Sequence, residues 1–263
     1  MLTASQTYKT ILVDRAPPLA TLSMNRPDRR NALSLEMMQE MTSALRAIGG
    51  DREVRIVIIR GNGPAFSAGH DIAEMRGQDI NFYRRLFDAC VALMDAVQTI
   101  PQPVIAQVHA VATAAGCQLV ATCDLAVASE NAWFATPGVR IGLFCSTPMV
   151  AVSRAVGRKK TMEMLLTGDP VPAPEAVDIG LINKAVPAER LESAVRELAD
   201  KIIASSPLVV GIGKQAFYRQ IDMPQHAAYD YTREVMSMNA TTCDAQEGFA
   251  AFVDKRKPAW SGK

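Results

Sequence analysis

The stretch PVIAQVHAVATAAGCQLVATCDLAVAS, residues 103–129, contains a complete structural unit. Its opening PVIAQV is a continuous apolar run of the kind buried on both faces of a sheet. Residues 112–124, ATAAGCQLVATCD, follow as a run of very small side chains that reaches one amide, Gln118, and then turns apolar. DLAVAS reads as the next strand, with Asp124 at its start. Buried strand, small-residue loop, helix and strand in succession predict an α/β fold.

The same alternation extends on both sides. YKTILVD and LATLSMN read as two strands broken by Pro17-Pro18, and the segment after Ser34 carries Leu35, Met38, Met41, Leu45 and Ile48 at helical spacing before Gly49-Gly50 ends it. VRIVIIRG is a β-branched run closed by Gly61, Asn62, Gly63 and Pro64. After the loop AFSAGHDI, residues 81–100 place Phe82, Leu86, Cys90, Leu93 and Val97 on one helical face. AWFAT continues the strand pattern, and STPMVAVSRAVG offers a hydroxyl cap, Ser146, and a proline in its first turn, a helix start. PAPEAVDIGLINKAVP reads as a short helix and a strand, and from about Ala188 only helical patterns remain. The division is therefore an α/β body over residues 1–190 and a helical C-terminal region over 191–263.

Composition excludes several classes. With 28 basic and 27 acidic residues well mixed, the net charge of +1 gives no field for nucleic acid or an anionic membrane. Five cysteines without a CxxC pair, and three histidines, argue against a disulfide framework or a zinc site and fit a reduced compartment, so the cytoplasm is the expectation. The N-terminal residues run into strand-like patterns without a charged and apolar leader, and no apolar stretch approaches the roughly 18 residues of a membrane span.

Two loops share one form. In FSAGHDI and in TAAGCQL, small residues lie between a buried strand and a helix start. They can admit a ligand close to the backbone, where amides at a helix N-terminus hold an anion or an oxyanion. They can equally serve tight helix-on-sheet packing.

NRPDRRNALS, FSAGHDIAEM, PVIAQVHAVATAAGCQLVATCDLAVAS, FATPGVRIGL and the terminal GFAAFVDKRKP, taken in this order, resemble the successive signatures of the crotonase superfamily, the enoyl-CoA hydratase/isomerase family. The variant forms SAGHD and AAGCQL are most similar to its subgroup named for enoyl-CoA hydratase domain-containing protein 3. The resemblance implies a crotonase-type spiral of ββα units, a C-terminal helical region for oligomerisation, and a homotrimer or dimer of trimers. It implies an acyl-CoA ligand, no separate cofactor or metal, and lyase or isomerase chemistry in fatty acid metabolism. By the same resemblance, the backbone N–H groups of His70 and Ala115 hold the thioester oxygen. Backbone around Ala68, His70 and Ile72 lies along the adenine and pantetheine, and Lys255 or Lys257 reaches a phosphate, while Thr136, Gln118 and Ser146 are the polar groups expected nearest the acyl side.

The chemistry departs from that of a hydratase. Hydratases of this family use two glutamates, at positions held here by Gln118 and Gly138. An amide takes no proton at neutral pH and glycine offers no group, so each loss is expected to forfeit about 10² to 10⁴ in hydration rate. Isomerase, decarboxylase, thioester hydrolase and non-catalytic acyl-CoA binder remain as alternatives. Restoring both glutamates is expected to raise hydration if the pocket is otherwise intact. His70 has a suitable pKa for a base, but packing or ligand contact is the reading preferred for its ring. His109, Cys117, Cys123 and Cys145 read as packing residues, Asp71 as a cap for the helix that follows, and Ser146 as a helix N-cap.

Overall fold

A computed structural model describes residues 7–263. The expectation about a leader falls partly on residues 1–6, outside the described residues. β1 (Ile11–Ala16) and β2 (Leu19–Met24) form an antiparallel hairpin turned by Pro17-Pro18, whose peptide is cis. α1 (Leu35–Gly49) starts at Ser34, whose hydroxyl accepts from the Met37 N–H. Then come β3 (Ile56–Gly61), α2 (Ile72–Met75), α3 (Ile80–Thr99), β4 (Val104–Val108), β5 (Ala112–Thr113) and α4 (Ala115–Thr122). β6 (Leu125–Ser129), β7 (Trp133–Ala135), α5 (Pro148–Ala155), α6 (Arg158–Thr167), β8 (Val171–Pro172), α7 (Ala173–Asp178) and β9 (Lys184–Val186) complete the α/β part. α8 (Leu191–Ile203), α9 (Pro207–Gln220), α10 (Gln225–Ala240) and α11 (Cys243–Val253) follow.

One six-stranded sheet has the order β1-β2-β3-β4-β6-β9, parallel throughout after the first hairpin, and a three-stranded sheet has the order β5-β7-β8. Successive turns of the chain lay equivalent segments side by side: Leu33 bridges His70, Ser67 bridges Ala112, and Ala112 pairs with Phe134. This is the spiral of ββα units, with helices after the strands.

Strand alternation explains why the central runs carry no polar face. Val57, Ile59, Val104, Ala106 and Ala126 enter the core built with α1 and α3, whereas Ile56, Ile58, Ile105 and Val127 point the other way, onto Leu191, Ala194, Val195 and Ala199 of α8. α8 begins the helical C-terminal region, and it closes the second face of the sheet. The helix expected to start at Ser146 begins instead at Pro148, and Thr147 stands at its N-cap without a side-chain bond. Ser146 Oγ reaches back to the Phe144 carbonyl at 3.4 Å, so proline geometry rather than a hydroxyl cap starts α5.

Two buried charged groups fasten the C-terminal helices. Lys214 on α9 donates to the carbonyls of Val97 and Gln102, at 2.7 and 2.9 Å, and pairs with Asp124 at 2.7 Å. Asp244, 1% exposed, accepts from Ser206 Oγ at 2.5 Å, from Ser261 N–H at 2.7 Å and from Gly262 N–H at 3.0 Å. Burial alone raises its pKa, but the bonds from Ser206, Ser261 and Gly262 outweigh that and bring it down to about 2. The ordinary aspartate value is about 3.9, so this carboxylate stabilises the fold above about pH 4 and loses that contribution as pH falls toward 2. Acid unfolding followed by circular dichroism should show a loss of stability in that window. Asp244→Asn should flatten that part of the curve, and an unchanged curve would refute the assignment.

Candidate active site

The two small-residue loops lie against each other. The Phe66 N–H donates to Val111 O at 3.0 Å, Thr113 N–H to Ser67 O at 2.9 Å, and Ala114 N–H to Ala135 O at 2.9 Å. Gly69, at φ +88°, faces the second loop so closely that a Cβ there would stand 2.7 Å from Ala114 Cβ and 3.3 Å from Ala115 N. At Gly116 a Cβ would stand 2.4 Å from Ser67 O. The packing reading of the small residues therefore holds: they let the loops pack tightly, and in doing so bring two backbone segments into register.

Each loop leaves an N–H group in position to donate. Leu33 N–H donates to Gly69 O and Asp71 N–H to Leu33 O, so in this parallel bridge the N–H of the intervening His70 points to the opposite side of the strand. Ala115 is the first residue of α4, where a helix has no acceptor of its own for the amide. The residue before it, Ala114, has φ 49° and ψ −118°, a region that suits glycine. Strain of this type costs about 1–3 kcal/mol and persists where the surroundings over-determine it. Here it aims the start of α4 at the first loop.

The side chains are distributed as follows. Asp71 caps α2 by accepting from Ala73 and Glu74 N–H, and it pairs with Arg26 at 2.8 Å. Burial opposes ionisation, but the Arg26 bond and the cap hold the Asp71 pKa below the usual carboxylate range. The Ala68 N–H is engaged with Arg30 O, and the Ile72 side chain, at the first position of α2, is about half exposed. The His70 ring meets Phe87 of α3 edge to face at 5.5 Å between centroids, and neither ring nitrogen has a hydrogen-bond partner of good geometry among the described residues. Burial pushes its pKa below the usual imidazole value, against a weak opposing influence of the Leu33 backbone. At neutral pH this is a neutral imidazole.

Gln118 stands one helical turn beyond Ala115 and is buried. Its carbonyl oxygen accepts from the thiol of Cys90 at 3.7 Å, on the same α3 face that carries Phe87 three residues earlier. Cys90 read in the sequence only as a core position. Its neighbour was invisible there, because the pairing joins residues 28 apart in sequence. Thr136 is fully buried, and its hydroxyl has no partner among the described residues. It follows β7, and through the pairing of Thr113 with Ala135 it lies beside the second loop.

Gly138 is buried, and a Cβ there would stand 2.1 Å from the Leu143 carbonyl oxygen and 2.9 Å from Cys145 Sγ. The turn is tied in place by the Leu143 N–H donating to Gly138 O at 3.0 Å. The expectation that a glutamate could simply be restored at 138 is therefore corrected, since the backbone of 143 occupies the space a side chain needs. Lys255 and Lys257 lie in the exposed segment just after α11, and no hydrogen bond or ion pair links either side chain to the two loops. His109 Nε2 donates to the Gly63 carbonyl oxygen, 2.8 Å away, and takes no part in the loop contact. A cleft of about 590 Å³ opens elsewhere, among residues preceding β3 and β4 and the C-terminal tail. Among the described residues, no group of His, Cys, Asp and Glu has the arrangement of a metal site, and no helix is long and apolar enough to cross a membrane.

A family model described as enoyl-CoA hydratase/isomerase matches residues 15–263. The chain belongs to this family. It is 47% identical over 239 residues to the mitochondrial enoyl-CoA hydratase domain-containing protein 3 of Xenopus laevis, covering 90% of this chain and 81% of the frog protein. The human protein of the same name is 44% identical over 244 residues, covering 92% and 80%. Among solved structures, an enoyl-CoA hydratase of Mycobacterium smegmatis superimposes with a TM-score of 0.94 at 45% identity, over 96% of this chain and 99% of that one. Human enoyl-CoA hydratase domain-containing protein 3 gives 0.93 at 42%, over 96% and 100%. These likenesses place the α/β body and the C-terminal helices in the crotonase fold. They also overturn the cytoplasmic expectation, because these frog and human relatives are named as mitochondrial proteins. Cysteine usage does not choose among reduced compartments.

Proposed function

We propose that the protein binds acyl-CoA and holds the thioester oxygen between the backbone N–H groups of His70 and Ala115. The observation that carries this reading is the contact of Gly69 with the start of α4, with a Cβ at 69 only 3.3 Å from Ala115 N. Charge that develops on a thioester oxygen meets fixed donors there, each worth about 2.7–4 kcal/mol in the transition state. Ala68 and Ile72 then flank the CoA, and Thr136 faces the acyl group.

Ordinary hydration is not what this site supports. Neither Gln118 nor Gly138 can take up or release a proton at neutral pH, so the chemistry open to the site is thioester polarisation with the proton moved by the substrate or by another acid/base, as in isomerisation, decarboxylation or thioester hydrolysis. The missing carboxylates also favour a second reading, a non-catalytic acyl-CoA binder. Exposed apolar side chains on α9, α10 and α11, among them Phe217, Tyr229, Met236, Phe249 and Phe252, support assembly into trimers or dimers of trimers. Lys255 or Lys257 could meet a CoA phosphate in such an assembly.

Calorimetry with saturated, 2-enoyl, 3-oxo and malonyl thioesters of CoA should give saturable binding. Incubation with the same panel separates the two readings by whether any thioester is converted. Absence of binding by every member would sink both.

A further inference from the structure

Gln118 is oriented by a group that the chemistry of hydration has no use for. Its amide oxygen is taken by the Cys90 thiol at 3.7 Å in the protein interior. The thiol keeps its proton, since burial pushes the Cys90 pKa up to about 12. A protonated thiol donates, so the oxygen end of the amide faces α3 and the NH₂ end faces away from it. That nitrogen has no hydrogen bond among the described residues and is not sealed from solvent. It therefore borders accessible space. Gln118 lies three residues after Ala115 on the same face of α4, and the His70 ring rests on the α3 turn that carries Cys90. The free amide donor is thus placed beside the point where the two loops converge.

We propose that Gln118 is a specificity-determining donor, held by Cys90 with its NH₂ group toward the acyl chain, and that the site selects acyl-CoAs bearing an acceptor oxygen at C3. This inference rests on the acyl-CoA reading above. A glutamate at 118 would present an acceptor to a water or a hydroxyl. The amide presents donors, which match a 3-oxo or malonyl-type carbonyl and mismatch a plain hydrocarbon. Cys90 acts through Gln118 and is a positioning residue.

The test compares acetoacetyl-CoA with butyryl-CoA, which share chain length and differ at C3, by calorimetry on the full-length protein. The wild type should bind acetoacetyl-CoA about 3- to 10-fold more tightly, the range of one neutral hydrogen bond. Gln118→Leu should erase that preference, bringing the ratio of the two affinities to about one. Cys90→Ala should reduce the preference, and Cys90→Ser, which restores a donor to the amide oxygen, should recover it. A purely structural role for Cys90 would lower both affinities together and would not be rescued by serine. Equal affinities in the wild type, or a preference that survives Gln118→Leu, would overturn the inference while leaving thioester binding intact. Failure of both ligands to bind would instead overturn the acyl-CoA reading.

Discussion

Introducing glutamate at both 118 and 138 should leave crotonyl-CoA hydration at its starting level and should lower the melting temperature. The first half follows from steric exclusion at 138. A Cβ there overlaps the Leu143 carbonyl oxygen at 2.1 Å, a backbone atom fixed by the Leu143 N–H bond to Gly138 O, and comes within 2.9 Å of Cys145 Sγ. A glutamate cannot enter without displacing the turn between 138 and 145, so its carboxylate does not arrive at a catalytic position. The second half follows from the same overlap, since forcing atoms into a packed interior costs about 1–3 kcal/mol and sometimes more. For a chain of this size each kcal/mol corresponds to about 2–4 °C, so Gly138→Ala alone should lower the midpoint by about 2–12 °C. Thermal unfolding checks the single variant, and the absorbance of the enoyl thioester checks the double one. Hydration rising at least tenfold with an unchanged melting point would show that the turn yields without cost. The departure from hydratase chemistry would then be two side chains deep, and the backbone would not enforce it.

What the sequence could disclose depended on how local the signal was. The runs VRIVIIRG and PVIAQV read as strands buried on both faces because β-branched density is a local property, and both became central strands, β3 and β4, with helices on either side. α1 and α3 were legible from their apolar spacing, whereas α6 was not, because Met162 and Leu166 are exposed while Thr161, Met164 and Leu165 are buried, leaving no clean stripe. The two loops were recognisable as small-residue runs. Their convergence came only through the family resemblance, since the contact itself depends on a positive φ at Gly69 and a strained Ala114 that composition does not reveal. Gln118 and Gly138 stood out as replacements. That Gly138 has been closed over by residue 143, and that Gln118 has acquired Cys90 as a partner, are three-dimensional facts with no periodicity to announce them.

Lys214→Met should destabilise the protein by about 3–5 kcal/mol, the cost of removing one member of a buried ion pair. The side chain of Lys214 is only 5% exposed and that of Asp124 14%, so the pair has little water to fall back on. Burial lowers the Lys214 pKa and the Asp124 carboxylate opposes that, so the ammonium depends on its partner to stay charged. Methionine fills comparable volume, which confines the loss to polar terms. The Val97 and Gln102 carbonyls lose their donor, and Asp124 is left with the Val104 N–H at 2.6 Å and Tyr218. Thermal or urea unfolding reads the change, and a loss under about 1 kcal/mol would mean that water replaces the ammonium freely. Combining Lys214→Met with Asp124→Asn should cost less than the two singles added, by about 0.5–3 kcal/mol, because the second change removes the stranded charge. The consequence reaches the site through α3. Val97 lies on the same helix as Phe87 and Cys90, which contact His70 and Gln118, so the bond that docks α9 also braces the helix against which both loops are positioned. In Lys214→Met the preference for a 3-oxo thioester should therefore weaken at temperatures where the protein is still folded, and an unaltered preference would confine the role of Lys214 to stability.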